Sequence, residues 1–312
     1  MSLYLITGIG GFIGSSLARA LLVRGEKVRG VDNFSTGNPE NLSEIRNRID
    51  FREADILDLN AMRDACNGAD FVLHQAALPS VPKSVLDPLG SNRTNVDGTV
   101  NVLIAARDAK VKRVIYAASS SAYGDTPTLP KDEAMRPDPI SPYAVAKLAS
   151  EHYMISFYRC YGLETVALRY FNIFGPRQDP SSPYSGVLAK FITSMLRNQQ
   201  PAIYGDGEQS RDFTYIDNAV EANLLACQAP ASKAAGQVFN VATARQVTLN
   251  QTYKLLQKLT GYSGAPSYGP ERQGDIKHSF ADIGRVETAL GYKPKVDFEE
   301  GLRRTVEWYR SR

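Results

Sequence analysis

The 312-residue chain has only three cysteines and three histidines, and that scarcity removes several chemistries at once. Cys66, Cys160 and Cys227 are odd in number and scattered, without metal-ligand spacing. They fit neither a disulfide framework nor a zinc site, and read as reduced thiols of a cytoplasmic protein, each a buried filler. His74, His152 and His278 form no ligand grouping, so no metal is expected. No apolar run approaches the roughly 20 residues that a membrane-spanning helix needs. The apolar start, residues 1–14, lacks a basic region and a small-residue cleavage site, so a signal peptide is not expected. Charge of one sign is not in excess either, with a formal net charge of +3. That balance offers no footprint for nucleic acid and no polybasic membrane patch. What is present is 43% apolar and 22% charged residues, enough to bury a large core in one or two domains.

Short apolar runs alternate with amphipathic stretches over the first half. Strands are expected at 3–7, 27–32, 49–53, 71–74, 113–118 and 165–170, and helices at 12–24, 59–66, 96–109 and 142–161. Near-continuous apolar strands alternating with helices predict an α/β fold, a doubly wound parallel sheet covered on both faces. After Asn172 the texture changes. The turn-rich run 175–183 predicts a functional loop, and 204–207 a polar turn. Helices are expected near 187–197, 218–228, 250–260 and 301–309. The organisation expected is a nucleotide-binding domain over 1–173, with a return segment at about 213–244. A smaller C-terminal α/β substrate domain would comprise 174–212 and 245–312.

The sharpest local signal is Gly8-x-x-Gly11-Phe12-Ile13-Gly14, between the first strand and the first helix. Gly8 suits a tight turn, Gly11 lets backbone approach a pyrophosphate, and Gly14 permits close helix–strand packing. The helix start then offers N–H groups and a positive dipole end to phosphates. A plain turn would also use glycines, but strand, glycines and helix occur here in order. Asp32 ends the second strand, where a carboxylate accepts from ribose hydroxyls and repels a 2′-phosphate. NAD is therefore favoured over NADP on a Rossmann-type fold.

Tyr143 and Lys147 lie one helical turn apart on one face. Lowering a phenol from a pKa of about 10 to neutrality takes about 4 kcal/mol. One nearby cation at an effective dielectric near 20 supplies about that much. Such a pair is common by chance on surface helices. It gains weight from Ser119-Ser120-Ser121, which follow a strand and so stand at the carboxyl edge, where open α/β sheets bind ligands.

Further ordered motifs are Asp32-Asn33-Phe34-Ser35-Thr36-Gly37, Asp55-Ile56, His74-Gln75-Ala76-Ala77, Asn95 and Arg169-Tyr170-Phe171-Asn172. Gly175-Pro176-Arg177-Gln178, Arg211-Asp212-Phe213 and Arg272-x-Gly274-Asp275 follow. Across essentially the whole chain, these residues resemble the extended short-chain dehydrogenases/reductases, and among them the UDP-sugar 4-epimerases. The resemblance implies NAD as a recycled oxidant, held by the glycine turn with Asn33, Ser35, Thr36, Gly37, Asp55, Ile56, Gln75, Ala76, Ala77, Asn95 and Tyr170. It implies that Tyr143 removes the O4 proton, that Ser119 relays it, and that Lys147 lowers the Tyr143 pKa and binds the nicotinamide ribose. A 4-keto sugar then turns its other face to the returning hydride.

Related 4,6-dehydratases carry Asp-Glu after the catalytic hydroxyl, and related decarboxylases carry Glu at the second of those positions. Ser120 and Ser121 cannot do that acid–base work, which leaves epimerisation. Relatives acting on UDP-glucuronate carry Arg at the position of Asp179, whereas an Asp there repels a carboxylate, so a neutral hexose is expected. Ser279 occupies the position whose bulk, in the family, gates space beside C2. A small residue there admits both UDP-Glc/UDP-Gal and UDP-GlcNAc/UDP-GalNAc, although Pro79 stands where some N-acetyl-preferring relatives have glycine. Arg211 and Arg272 are candidates for the pyrophosphate, as guanidinium forks suit phosphate oxygens. Asn172 is expected at a phosphate and Val187 and Tyr204 at the uracil. Ser80, Ser120, Ser121, Gly186 and Asp275 complete the implied substrate contacts. Helices 96–109 and 142–161 resemble a pair that forms an intersubunit four-helix bundle, so a homodimer is expected. The alternatives are a UDP-uronate 4-epimerase, an NADP-dependent reductase, and a non-catalytic NAD-sensing regulator.

Overall fold

The computed structural model describes residues 1–180, 186–271 and 277–312. Its central sheet has strands β1 (Leu3–Thr7), β2 (Lys27–Asp32), β3 (Asp50–Glu53), β4 (Phe71–His74), β5 (Arg113–Ser119), β6 (Glu164–Tyr170) and β7 (Gln237–Val241). All pair in parallel, in the order β7-β6-β5-β4-β1-β2-β3. This is the expected Rossmann-like α/β architecture. The eight longest helices among the described residues are α1 (Phe12–Val23), α2 (Leu59–Cys66), α3 (Gly98–Asp108), α4 (Pro142–Tyr161), α5 (Val187–Leu196), α6 (Ile216–Gln228), α7 (Leu249–Thr260) and α8 (Phe298–Arg310).

Alternate residues of one strand enter different cores, because successive side chains point to opposite faces. Ile6, Leu73, Ile115 and Leu168 pack with α1 and α6, while Leu5, Val72, Val114 and Ala167 pack with α2, α3 and α4. Burial on both faces explains why these strands read as unbroken apolar runs. The chain builds outward from β1 through β2 and β3, then restarts at β4 on the other side of β1. That reversal opens a crevice at the carboxyl ends of the strands, where Thr7, Asp32, His74 and Ser119 lie.

The smaller C-terminal part consists of α5, α7, α8 and three two-stranded pairings. In these, Ile173–Phe174 pairs with Thr214–Tyr215, Ala202–Tyr204 with Ser267–Gly269, and Ser210–Arg211 with Val247–Thr248. Its core, with Phe174, Phe213 and Phe298 stacked edge and face, is continuous with one face of the sheet.

Four expectations are corrected. The helix expected at 96–109 is an α-helix from Gly98 preceded by a π-turn over Arg93–Asp97. There the Asn95 carbonyl accepts side-chain hydroxyls from Thr99 and Ser150. Residue 204 ends a short strand rather than opening a turn. The strand β7 has no counterpart in the sequence reading. Cys160 is exposed near the end of α4, so it is no filler; Cys66 and Cys227 are buried, and burial pushes both thiols up to about 12. Among the described residues no helix is long and apolar enough to cross a membrane, and no cluster of potential metal ligands exists.

Candidate active site

The turn after β1 leaves no room for side chains. Gly8 has φ +71°, and a Cβ there would lie 2.7 Å from the Ala76 nitrogen. A Cβ on Gly14 would meet the Gly8 carbonyl oxygen at 2.2 Å. Helix α1 starts at Gly11 without a side-chain cap, and its first internal bond runs from Ser15 N to Gly11 O. The N–H groups of Phe12, Ile13 and Gly14 therefore stand at the head of α1, beside the cleft that these residues line. This is the geometry that a pyrophosphate requires.

That cleft has a volume of about 390 Å³. Asp32, Asn33, Ser35, Thr36 and Gly37 form one wall, with Asp55 and Ile56 beside them and Gln75, Ala76 and Ala77 opposite. The Asp32 carboxylate accepts from Gly10 N and Phe34 N, one on each oxygen, so each oxygen keeps a lone pair for a ribose hydroxyl. Burial raises its pKa, and the backbone donors pull it back. A Cβ on Gly37 would lie 2.9 Å from the carboxylate, so the ribose side is tightly packed as well. The residues fit NAD.

A second cleft of about 250 Å³ shares Ile173, Gln178 and Gly186 with the first. Asn172, Gly186, Val187, Tyr204 and Arg211, all assigned to the substrate from sequence, line it. Asn172 takes φ +39° and donates one amide hydrogen to the Asp212 carbonyl. Arg211 donates to the carbonyls of Ser210 and Lys277. Arg272 and Asp275 lie outside the described residues. Ser80 lines the first cleft while capping Lys83 N at the head of the short helix Val81–Leu86.

Ser119, Ser120, Ser121, Tyr143, Lys147, Asn95, Tyr170 and Ser279 are not among the residues that line either cleft. The first five gather at the carboxyl edge behind the cleft walls. The sequence defines both ends of helix α4: Ser141 caps it, Pro142 occupies the first turn, and Gly162 ends it at φ +70°. The Ser119 hydroxyl lies close enough to the Tyr143 phenol to lower its pKa, and the Tyr143 N–H donates to Ser84 on the short helix carrying Ser80. Lys147 donates from Nζ to the Ala117 carbonyl, two residues before Ser119.

The electrostatics differ from the expectation. Burial raises the Tyr143 pKa and the nearby Ser119 hydroxyl opposes it, with burial the stronger. Burial also pushes Lys147 down to about 7, which weakens its hold on a proton. A single ammonium does not by itself bring Tyr143 to neutrality.

Behind the site a buried chain of polar groups joins the glycine turn to the π-turn. Thr99 donates to Asn95 O, so it accepts from His74 Nε2 at 3.0 Å. His74 Nδ1 then accepts from Thr7, whose oxygen accepts from Ala76 N. This fixes a neutral His74 with its hydrogen on Nε2. The Asn95 amide clamps the backbone of Leu78, and Tyr170 bonds Asn223 and Gln75. Asn95 and Tyr170 thus brace the cleft walls.

Burial, with the Lys147 charge adding, pushes His74 down to about 3. The unfolded chain takes up this proton near pH 6.5. Stability from a neutral His74 is therefore complete above pH 6.5 and lost as pH falls toward 3, at up to about 1.4 kcal/mol per pH unit. Urea unfolding at pH 6.5 and pH 5 is expected to show His74→Gln losing about 2 kcal/mol less than wild type over that interval. Equal losses would contradict the assignment.

Sequence reasoning missed Lys83, Thr94, Asn38, Asn41 and Arg177, all lining the first cleft. Asn38 N and Asn41 Nδ2 both donate to Gly10 O and so pin the glycine turn. The asparagines after Gly37 and the Gly175-Pro176-Arg177-Gln178 motif were the hints to three of them.

Residues 4–242 match the NAD dependent epimerase/dehydratase family. Among solved structures, a UDP-glucose 4-epimerase from Thermotoga maritima with UDP-glucose superposes with a TM-score of 0.94 at 40% identity, over 99% of both chains. A UDP-N-acetylglucosamine 4-epimerase from Methanobrevibacter ruminantium, in complex with UDP-N-acetylmuramic acid, also gives 0.94 at 41% identity, over 99% and 98% of the two chains. A UDP-glucuronate 4-epimerase of Thermodesulfobacterium geofontis is 32% identical over 321 residues, covering 99% of this chain and 96% of its own. The chain belongs to the NAD dependent epimerase/dehydratase family. Within it, it is an extended short-chain dehydrogenase/reductase of the UDP-sugar 4-epimerase group, as its motifs implied, and NAD is its cofactor.

Proposed function

We propose that the chain inverts C4 of a neutral UDP-hexose, taking UDP-Glc/UDP-Gal and also UDP-GlcNAc/UDP-GalNAc. The observation that carries this reading is the joining of Ser119, Tyr143 and Lys147 at the sheet edge, beside a cleft whose wall includes Asp179. Asp179 stands where, by the resemblance, relatives acting on UDP-glucuronate carry Arg, and that disfavours a uronate. Ser120 and Ser121, standing where a dehydratase would place carboxylates, leave no acid–base pair for water loss.

NAD, when bound, supplies the oxidation and re-reduction of the sugar carbon and brings positive charge near the phenol. The Ser119 oxygen already accepts two hydrogens, from Ser121 N at 3.2 Å and Ser121 Oγ at 2.8 Å. Its own hydrogen must therefore be donated, either to the Tyr143 oxygen or to a sugar hydroxyl. Ser121 thus makes Ser119 a one-way donor that favours the phenolate, the form able to accept the O4 proton. Lys147 is held in place beneath the same site by its bond to Ala117 O.

Ser279 donates its backbone N–H to Ser210 O, beside Arg211. Its gate role rests on the motif. Ser279→Tyr is expected to suppress turnover of UDP-GlcNAc at least 10-fold while sparing UDP-Glc within about threefold, given the 1–3 kcal/mol reach of steric discrimination. Product resolution from separate incubations with UDP-Glc, UDP-GlcNAc and UDP-glucuronate tests both claims. Equal loss on both hexoses would sink the gate, and turnover of UDP-glucuronate alone would sink the neutral sugar.

The chain also carries an uncovered apolar face. Val145 and Tyr153 on α4 and Leu89 nearby are exposed, on helices packed against one another. A homodimer formed through α3 and α4 would cover this face. Light scattering at micromolar concentration is expected to give twice the 34.3 kDa chain mass; a purely monomeric mass would refute the dimer.

A further inference from the structure

One turn beyond Lys147, the same face of α4 carries Glu151, so Tyr143, Lys147 and Glu151 recur at intervals of four. Glu151 is 2% exposed, and Arg169 on β6 is 3% exposed. They join as a fork: Arg169 Nε donates to Oε2 at 2.9 Å and Nη2 to Oε1 at 2.7 Å. The register places Arg169 opposite Ala118 and Tyr170 opposite Ser119. The Arg169 guanidinium carbon also lies 4.6 Å from the centre of the Tyr123 ring, which closes the Ser120–Tyr123 turn. One ion pair therefore touches the helix carrying Tyr143 and Lys147, the strand beside Ser119, and the turn after Ser119.

Stability does not account for it. A buried ion pair is often no better than an apolar pair of similar volume. This one also leaves Arg169 Nη1 buried without a hydrogen-bond partner among the described residues. Helix α4 has other anchors, with Ser150 on Asn95 O, Thr165 on Met154 O, and Met154 and Phe157 in the core. What a planar fork adds is direction, since two parallel bonds fix rotation as well as distance.

We propose that Glu151 and Arg169 are a positioning pair, which sets the rotation of α4 so that the Tyr143 oxygen meets Ser119 at the reacting hydroxyl. It rests on the catalytic reading of Ser119, Tyr143 and Lys147, but not on which sugar is used. The pair touches no substrate and acts through Tyr143.

The test compares wild type, E151L/R169M and R169K, each purified with its NAD and assayed on whichever UDP-sugar the wild type epimerises. Tyr143→Phe runs in parallel and reports on the catalytic reading itself. E151L/R169M is expected to melt within a few degrees of wild type, to keep KM within about twofold, and to lose 10- to 100-fold in kcat. R169K, with charge kept but the fork lost, is expected to lose about 10-fold in kcat at unchanged KM. Wild-type kcat in either folded variant would overturn the proposal. So would a double variant that fails to fold together with an R169K of full activity, because the pair would then serve stability alone.

Discussion

Tyr143→Phe is expected to lower kcat by about 10² to 10⁴-fold while KM stays within about twofold. The phenyl ring keeps the packing of α4 and loses only the oxygen that Ser119 contacts. The Ser119 donor, fixed by two bonds from Ser121, then has no phenolate to serve. Burial already holds the Tyr143 phenol above its usual pKa, so deprotonation is the demanding part of its role. Neither buried base beside it can take it over: Lys147 is bound to Ala117 O, and His74 is locked between Thr7 and Thr99. Steady-state kinetics with titration of UDP binding separates the two effects. Residual turnover above a tenth of wild type would remove Tyr143 from the role of base.

Gly14→Ala is expected to yield protein without NAD, with affinity for added NAD down at least 100-fold. Its Cβ would meet the Gly8 oxygen at 2.2 Å and backbone of Gly8 and Ile9 at 2.9 Å, and backbone cannot swing aside as a side chain can. Relief requires moving α1 away from β1, which displaces the N–H groups that the phosphates need. Overpacking of this kind costs about 1–3 kcal/mol or more. Gly25→Ala is the control, with a positive φ of +78° but open space around it. It is expected to lose about 1 kcal/mol of stability and no cofactor. The 260/280 nm absorbance of the purified proteins reads the difference; stoichiometric NAD in Gly14→Ala would defeat the argument.

The sequence made the sheet legible where strands are buried on both faces. β1, β2 and β4 match the expected bounds to the residue; β1 and β4 are apolar runs that admit one reading, and β2 is bounded by the turn at Gly25 and by Asp32. β7 escaped because Gln237 and Asn240 interrupt it. Asn240 is buried only because Tyr123, Lys131 and Asp282 satisfy its side chain, and no local pattern encodes that. The π-turn at 93–97 escaped for the same reason, since its side-chain partners lie on α3 and α4.

The site divides likewise. The glycine turn, Asp32 and the 75–77 segment were legible, as each does its work with its own backbone or an adjacent carboxylate. Arg177, at φ +72° on a loop, and Lys83, on a short helix, reach the cleft only through tertiary placement. The burial that raises the Tyr143 pKa is not readable from an i, i+4 pair.

The polypeptide leaves the sheet after β6, returns for α6 and β7, and leaves again. Neither part can therefore be excised by cutting the chain once, and a fragment ending near 173 would expose the β6 edge. Arg113 on β5 holds the end of α6 by donating to the carbonyls of Ala226, Cys227 and Ala229. Changing sugar preference by recombination with a relative thus means exchanging two separate stretches while that stitch stays intact.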